Sequence, residues 1–401
     1  MIKEKLIIKN FAGFDHIEID LKPINIFIGP QAAGKSVIIK LVYFFKSLIY
    51  EYTTYSENID ILKGNGFSFL VSRDFKEYFP PDSWSHKTFK IVFFSDYNGK
   101  EIFIELKRKE HSNNIEVKTP PLLMEMLLSF QKNTIQKKYP KIFSSELYNE
   151  NQSDYYKQAF IPAGRSFFST IQNSIFTLLR KNQTIDPFLI EFGSNYENAK
   201  FHKCSLFYKE RISLENISEL ILHGKYKREN NLDYLIHSDG RKVNLMNASS
   251  GQQETLPLIL FLLYILNEEI PTTLYIEEPE AHLYPDAQKK IVQLLAQVYN
   301  TQNKQLFITT HSPYILASFN NLIEAGNIIK TKPGSADKVY KIIPKEEVLS
   351  IDDLIAYSIK DGKKEILLDK ENNLISQNIL DDVSNDISKE FNALLDIEFG
   401  E

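Results

Sequence analysis

Residues Gly29-Pro30-Gln31-Ala32-Ala33-Gly34-Lys35-Ser36 fill the pattern GxxxxGK[ST] between an apolar strand, Ile24–Ile28, and a run with helical apolar spacing, Val37 to Ile49. A strand that ends in a glycine turn and re-enters as a helix leaves the first-turn amides of that helix without intrahelical partners. Such amides, with the positive end of the helix dipole behind them, form an anion site. Gly34 lets the backbone curl so that successive N–H groups turn inward onto phosphate oxygens. Lys35 brings a point charge to the β and γ phosphates, and the Ser36 hydroxyl is a ligand for Mg²⁺. The strand–loop–helix unit predicts an α/β nucleotide-binding fold.

Three further segments stand in a fixed order behind the loop. Leu274-Tyr275-Ile276-Glu277-Glu278 is an apolar strand ending in two acids. Ligands of open α/β sheets sit beyond the carboxyl ends of the strands, which puts both carboxylates within reach of the phosphates. Glu277 then holds the magnesium, directly or through water, and Glu278 polarises the attacking water. The polar turn Asn247 to Glu254 lies before an apolar helix, Thr255–Leu266, with Gly251 placed 26 residues ahead of Glu277. By itself it reads as helix capping. Thr309-Thr310-His311-Ser312-Pro313 follows another apolar strand, with His311 placed 33 residues after Glu278.

That order resembles the ABC-type ATPase heads, in particular the SMC/RecF/OLD-like branch, over residues 1–48 and about 232–318. The resemblance implies a P-loop NTPase of the ABC-ATPase type: a central, mostly parallel sheet flanked by helices, with a large α+β insertion. On it, Ala248-Ser249-Ser250-Gly251-Gln252 corresponds to the signature motif, with Ser249 and the Gly251 amide touching the γ-phosphate held by an opposite subunit. Glu277 to Pro285 corresponds to the second acidic motif and its dimer-contact loop, and His311 to the switch histidine. Glu277 stands where aspartate is usual, and Ala248 and Ser250 replace the commoner leucine and glycine. The implied activity is ATP hydrolysis with Mg²⁺ by a homodimer that sandwiches two nucleotides. The implied setting is an anti-phage or genome-maintenance system, with this chain as the regulatory or sensor subunit beside a separate effector. A RecF-like DNA-repair clamp and a slow-turnover ATP-gated scaffold that sequesters a toxin are the alternatives.

The α/β pattern is split. Residues 1–50 and 232–345 are expected to form a discontinuous ATPase core, and 51–231 an inserted α+β lobe. Within that lobe a hairpin, Phe89–Phe94 with Glu101–Leu106, turns at Asn98-Gly99. A second hairpin, Leu232–Ile236 with Lys242–Leu245, turns at Asp239-Gly240. Helical spacing runs through Pro121–Gln136, Phe167–Leu179 and Leu214–His223. Residues 346–401 are expected to be a C-terminal helical segment with an acidic tail, where Val383, Ile387, Phe391, Leu394 and Leu395 share one helical face. That stripe is read as folded back on the core or as a docking helix.

Ala159 to Ser166 reads as a short strand ending in Arg165, a residue that can sense the γ-phosphate or bind a nearby carboxylate. Gln152 and Gln158 are candidates for a magnesium-coordinating glutamine. The formal net charge is −5, carried by the last 21 residues; the remainder stands at +1, so no global positive field recruits nucleic acid. Lys132, Lys137, Lys138 and Lys141, and likewise Lys225, Lys227 and Arg228, read as solvated faces rather than as a DNA groove. A single cysteine, Cys204, excludes an intramolecular disulfide framework and a multi-cysteine zinc site. No D-x-D nuclease pair and no R-x-x-x-x-H ribonuclease motif is present. The longest apolar run, Leu256 to Leu266, is far short of the ~20 residues that cross a bilayer. Without a signal-peptide pattern, a cytoplasmic protein is expected.

Overall fold

A computed structural model describes residues 4–54, 66–84, 86–97, 100–110, 114–127, 156–170, 185–201, 208–266, 271–301, 304–376, 388–392 and 394. The chain is organised around a six-stranded sheet. Its strands are β3 (Ile24–Ile28), β7 (Lys157–Ile161), β11 (Thr272–Glu277), β12 (Lys304–Thr310), β13 (Leu354–Lys360) and β14 (Lys363–Ile366), in the spatial order β14-β13-β3-β12-β11-β7. All neighbours are parallel except the β13–β14 hairpin. Both β3 and β11 are buried at every position, as strands covered on both faces must be. The register aligns Ile26 with Ile308, Ile308 with Ile276 and Ile276 with Ile161. The carboxyl ends of four strands therefore meet along one edge.

Alternation along the strands divides the core in two. Phe27, Phe160, Tyr275, Phe307 and Tyr357 face α1 (Lys35–Thr54) and a second, antiparallel sheet. Tyr43 of α1 lies edge-on to Phe160 and Tyr275, with centroids 5.6 Å and 5.4 Å away. Ile26, Ile161, Ile276 and Ile308 face the opposite way. There they meet α5 (Ser250–Leu266), α6 (Pro285–Thr301) and α7 (Pro313–Thr331), joined by α3 (Pro187–Phe201) and α4 (Tyr208–Leu222). So α1 and α5 cover opposite faces of the same sheet.

The antiparallel sheet has the order β2-β1-β4-β5-β6, from β1 (Glu4–Phe11), β2 (Phe14–Leu21), β4 (Phe89–Tyr97), β5 (Lys100–Arg108) and β6 (Ile115–Lys118). Helix α2 (Gly66–Tyr78) packs on it, with Phe75 among Phe11, Phe44 and Phe89. A three-stranded sheet of β8 (Lys225–Glu229), β9 (Leu232–Ile236) and β10 (Lys242–Asn244) carries the second hairpin. Its turn has Gly240 at φ +85°.

Two expected boundaries are not structural ones. Residues 51–231 do not stand apart as a lobe: β4 pairs with β1, and β7 adds to the central sheet beside β11. Strand edges and buried apolar faces are satisfied by pairing across the chain, which local composition does not reveal. Residues 346–401 are not uniformly helical either, since β13 pairs with β3 and β14 pairs with β13. Of the proposed helices, 121–127 and Phe167–Thr170 are helical, and the remainder of those two runs lies outside the described residues. In the tail, Phe391 and Leu394 are exposed, at 59% and 63%, while Val383, Ile387 and Leu395 lie outside the described residues, as do Cys204 and Gln152.

Candidate functional site: a phosphate loop at the strand ends

The loop after β3 carries positive φ at Gly29 (+154°), Ala32 (+59°) and Gly34 (+91°), and α1 starts at Lys35. Pro30, Gln31 and Ala32 are exposed, Ala33 and Ser36 half-buried. A side chain at Gly29 would collide with the Ile359 carbonyl of β13, so the loop lies tight against the neighbouring strand. Phe14 of β2 presses its ring beneath Gly34, a support not visible in the motif itself. Lys35 is 5% exposed, and its Nζ donates to the carbonyls of Gly29 (2.9 Å) and Pro30 (2.7 Å). Burial lowers its pKa, and the carboxylates of Glu278 and Glu280 oppose that shift.

The acidic pair closes the site from β11. Glu277 is buried; its Oε2 accepts from the Ala163 amide at 3.1 Å, and its buried Oε1 has no hydrogen-bond partner among the described residues. An acceptor in that state fits a cation or a coordinated water. Glu278 holds a left-handed backbone, φ +42°, with its amide bonded to the Thr309 carbonyl at 2.9 Å. For a non-glycine residue such a conformation costs about 1–3 kcal/mol and persists only when its surroundings hold it. The Glu278 Oε1 lies 3.2 Å from His311 Nε2, which in turn lies 3.3 Å from Lys35 Nζ. Lys35, Glu278 and His311 therefore form one contiguous polar chain. The turned loop, buried lysine and partnerless carboxylate oxygen suit a magnesium nucleotide.

Glu280 was not singled out from the sequence. It is buried, and its Oε1 accepts from Thr310 Oγ1 (2.6 Å) and from the His311 amide (2.9 Å), fixing the histidine's backbone. Its only sequence signal is its place as the third acid of Glu277-Glu278-Pro279-Glu280. Gln288 completes the frame: its Nε2 donates to the Leu283 carbonyl (2.8 Å) and its Oε1 accepts from Ser312 Oγ (2.5 Å).

Arg165 lies elsewhere than a γ-phosphate sensor requires. It is 0% exposed. Its Nη1 donates to the carbonyls of Pro162 and Glu277 (both 2.8 Å), Nη2 to that of Glu278 (3.0 Å), and Nε to that of Glu254 (3.0 Å). Nη2 also stands 3.4 Å from Glu254 Oε1. With its donors directed to these acceptors, the guanidinium braces the strand ends from beneath and does not face the loop. Gln158 also drops out as a metal ligand: it pairs with Thr273 near the amino end of β7, and its Oε1 accepts from Tyr275 OH at 2.7 Å. Lys225 and Lys227 are exposed and pair with Glu219 and Glu229, as on a solvated face, whereas Arg228 is largely covered and pairs with the buried Asp233. Lys132, Lys137, Lys138 and Lys141 lie outside the described residues.

Ser249, Ser250 and Gly251 stand at the amino end of α5, Ser249 and Ser250 exposed and Gly251 buried. Gln252 Oε1 accepts from the Ser249 amide (3.2 Å) and hydroxyl (3.1 Å). The fold thus gathers Gly29–Ser36, Glu277, Glu278 and His311, and sets Ser249–Gln252 on a helix that covers the other face of the sheet.

Comparison with solved structures finds weak likenesses. The SMC head domain from Thermotoga maritima has 14% identity over 91% of this chain and 98% of that one, with a TM-score of 0.41. The SMC head bound to the C-terminal winged-helix domain of ScpA has 12% identity over 91% and 96%, TM-score 0.42. The recombination mediator RecF has 12% identity over 91% and 98%, TM-score 0.36. No curated protein matches the chain. The family described as "AAA domain, putative AbiEii toxin, Type IV TA system" matches residues 24–317, well over half of the chain and every motif segment named above. This α/β P-loop protein belongs to that AAA-domain family.

Proposed function

We propose that the chain is an ATPase working as a nucleotide-gated homodimer, in which two ATP molecules lie between two copies. The observation that carries this reading is the placement of α1 and α5 on opposite faces of one sheet. The phosphate loop heads α1, while Ser249 is exposed at the head of α5. A site that needs both is completed by the loop of one copy and Ser249-Gly251 of the other.

At each site Lys35 and the first-turn amides of α1 hold the phosphates, and Ser36 and Glu277 would hold Mg²⁺. The metal, when bound, neutralises charge developing on the β and γ phosphates. Glu278 orients and polarises the attacking water, and His311, 3.2 Å from it, senses the γ-phosphate end. The family description, which names a putative AbiEii toxin of a type IV toxin–antitoxin system, supports a setting in microbial defence. The place of this chain there as the regulatory or sensor subunit beside a separate effector is part of the proposal. A DNA-clamp reading draws less support, because the described basic residues of β8 are paired with acids. Among the described residues no helix is long and apolar enough to cross a membrane, which is compatible with a cytoplasmic site of action.

Subunit mixing tests the composite site. Ser249→Arg and Lys35→Ala should each abolish steady-state phosphate release. Their equimolar mixture should recover roughly a quarter of wild-type turnover, because half the dimers pair one intact loop with one intact Ser249. No recovery under verified subunit exchange contradicts the proposal.

A further inference from the structure

We propose that Arg165 is a positioning residue that ties the amino terminus of α5 to the backbone of Glu277 and Glu278. The inference rests on the reading of Glu278 as the group that polarises water, and adds what keeps it in place and what that support is attached to.

A fully buried guanidinium persists only when its donors are matched, since an unpaired buried charge costs several kcal/mol. Here the acceptors come from three separate segments: Pro162 after β7, Glu277 and Glu278 at the end of β11, and Glu254 in the first turns of α5. The Glu254 carboxylate is locked in return, accepting from the amides of Arg165 (2.8 Å) and Ser166 (2.7 Å). Ala163 of the same loop bonds the Glu277 carboxylate. Residues 162–166 thus clamp both acids, one by its side chain and both by their carbonyls.

The Glu278 backbone needs such a clamp. At φ +42° a glutamate is held against its own preference, and the guanidinium on its carbonyl opposes relaxation. Glu254 lies only a helical turn beyond Ser249–Gln252. A partner's nucleotide engaging that terminus therefore acts on Glu254, through Arg165, and on the direction of the Glu278 carboxylate. A lysine at 165 keeps the charge but cannot span acceptors on three segments, because its ammonium is a single point.

The test is a double-mutant comparison in single-turnover ATP hydrolysis at saturating nucleotide, with ATP affinity and thermal unfolding measured alongside. Arg165→Lys should lose about 10²-fold in rate, the scale of a misplacement near 1 Å, and keep ATP affinity within about twofold. Combined with Glu278→Gln, it should add no further loss, because both changes remove the same contribution. Glu254→Gln, which retains the buried arginine, should behave likewise, and carries the same comparison if Arg165→Lys does not fold. Losses that multiply with Glu278→Gln, a parallel loss of ATP affinity, or wild-type rates in Arg165→Lys and Glu254→Gln overturn this inference alone. A Glu278→Gln protein at full rate sinks the assignment of Glu278, and the inference with it.

Discussion

Replacing Gly34 by alanine tests the phosphate loop and its support together. Gly34 sits at φ +91°, where an alanine is strained by about 1–3 kcal/mol. The added methyl would also enter the Phe14 ring, coming within 2.6 Å of Cε2. Phe14 is 1% exposed and has little room to move, so the overlap adds the cost of overpacking, about 1–3 kcal/mol. The sum, about 2–6 kcal/mol, is a large fraction of an ordinary domain's stability of about 5–15 kcal/mol. Phe14→Leu removes the Cζ and Cε atoms that clash but leaves the backbone strain untouched. In that background Gly34→Ala should cost only the strain, leaving a coupling energy of about 1–3 kcal/mol between the two positions. Urea unfolding of the wild type, both single variants and the double variant measures it. Nucleotide binding should stay impaired in the double variant, because the loop still cannot take its curl. Additive costs would show that Phe14 does not support Gly34. Normal ATP affinity in Gly34→Ala would mean that the loop does not hold the phosphates.

Three further outcomes are expected. Glu278→Gln should bind ATP normally and hydrolyse it about 10²–10⁴-fold more slowly, accumulating as an ATP-bound dimer in light scattering. Lys35 binds phosphate in its protonated form, so affinity is present below its pKa and lost as pH rises through it; burial lowers that pKa, and the Glu278 carboxylate holds it up. ATP affinity should therefore fall on the alkaline side at lower pH in Glu278→Gln than in the wild type, read by fluorescent-nucleotide titration from about pH 7 to 10. Deleting residues 381–401 should change stability by no more than about 0.5 kcal/mol, because the described apolar residues of the tail, Phe391 and Leu394, are exposed rather than packed. A large fall in the melting temperature on truncation would show a tail docked on the core.

The parts legible from sequence alone were those whose chemistry is local. Gly29–Ser36 states its own geometry, since a glycine curl, a lysine and a helix start are consecutive in the chain. The apolar strands ending at Ile28, Glu277 and Thr310 announce a parallel sheet, because burial on both faces leaves no polar alternation. From that sheet it follows that Glu277, Glu278 and His311 gather at one edge. Position along the chain could not say where Arg165 points. That depends on β7 pairing with β11, and on Glu254 arriving from α5 with a buried carboxylate; the same tertiary pairing turns a candidate phosphate sensor into a brace. Phe14 under the loop and Glu280 behind His311 were hidden for the same reason, being contacts between segments that are remote or only turn-linked. The strand Leu354–Lys360 was missed because its partner, Ile24–Ile28, lies at the other end of the sequence. Local pattern determines which element can form and what its residues can bind. Which face of the sheet each helix covers, and therefore that Ser249 is carried away from its own phosphate loop, is decided only when distant apolar surfaces are buried against one another.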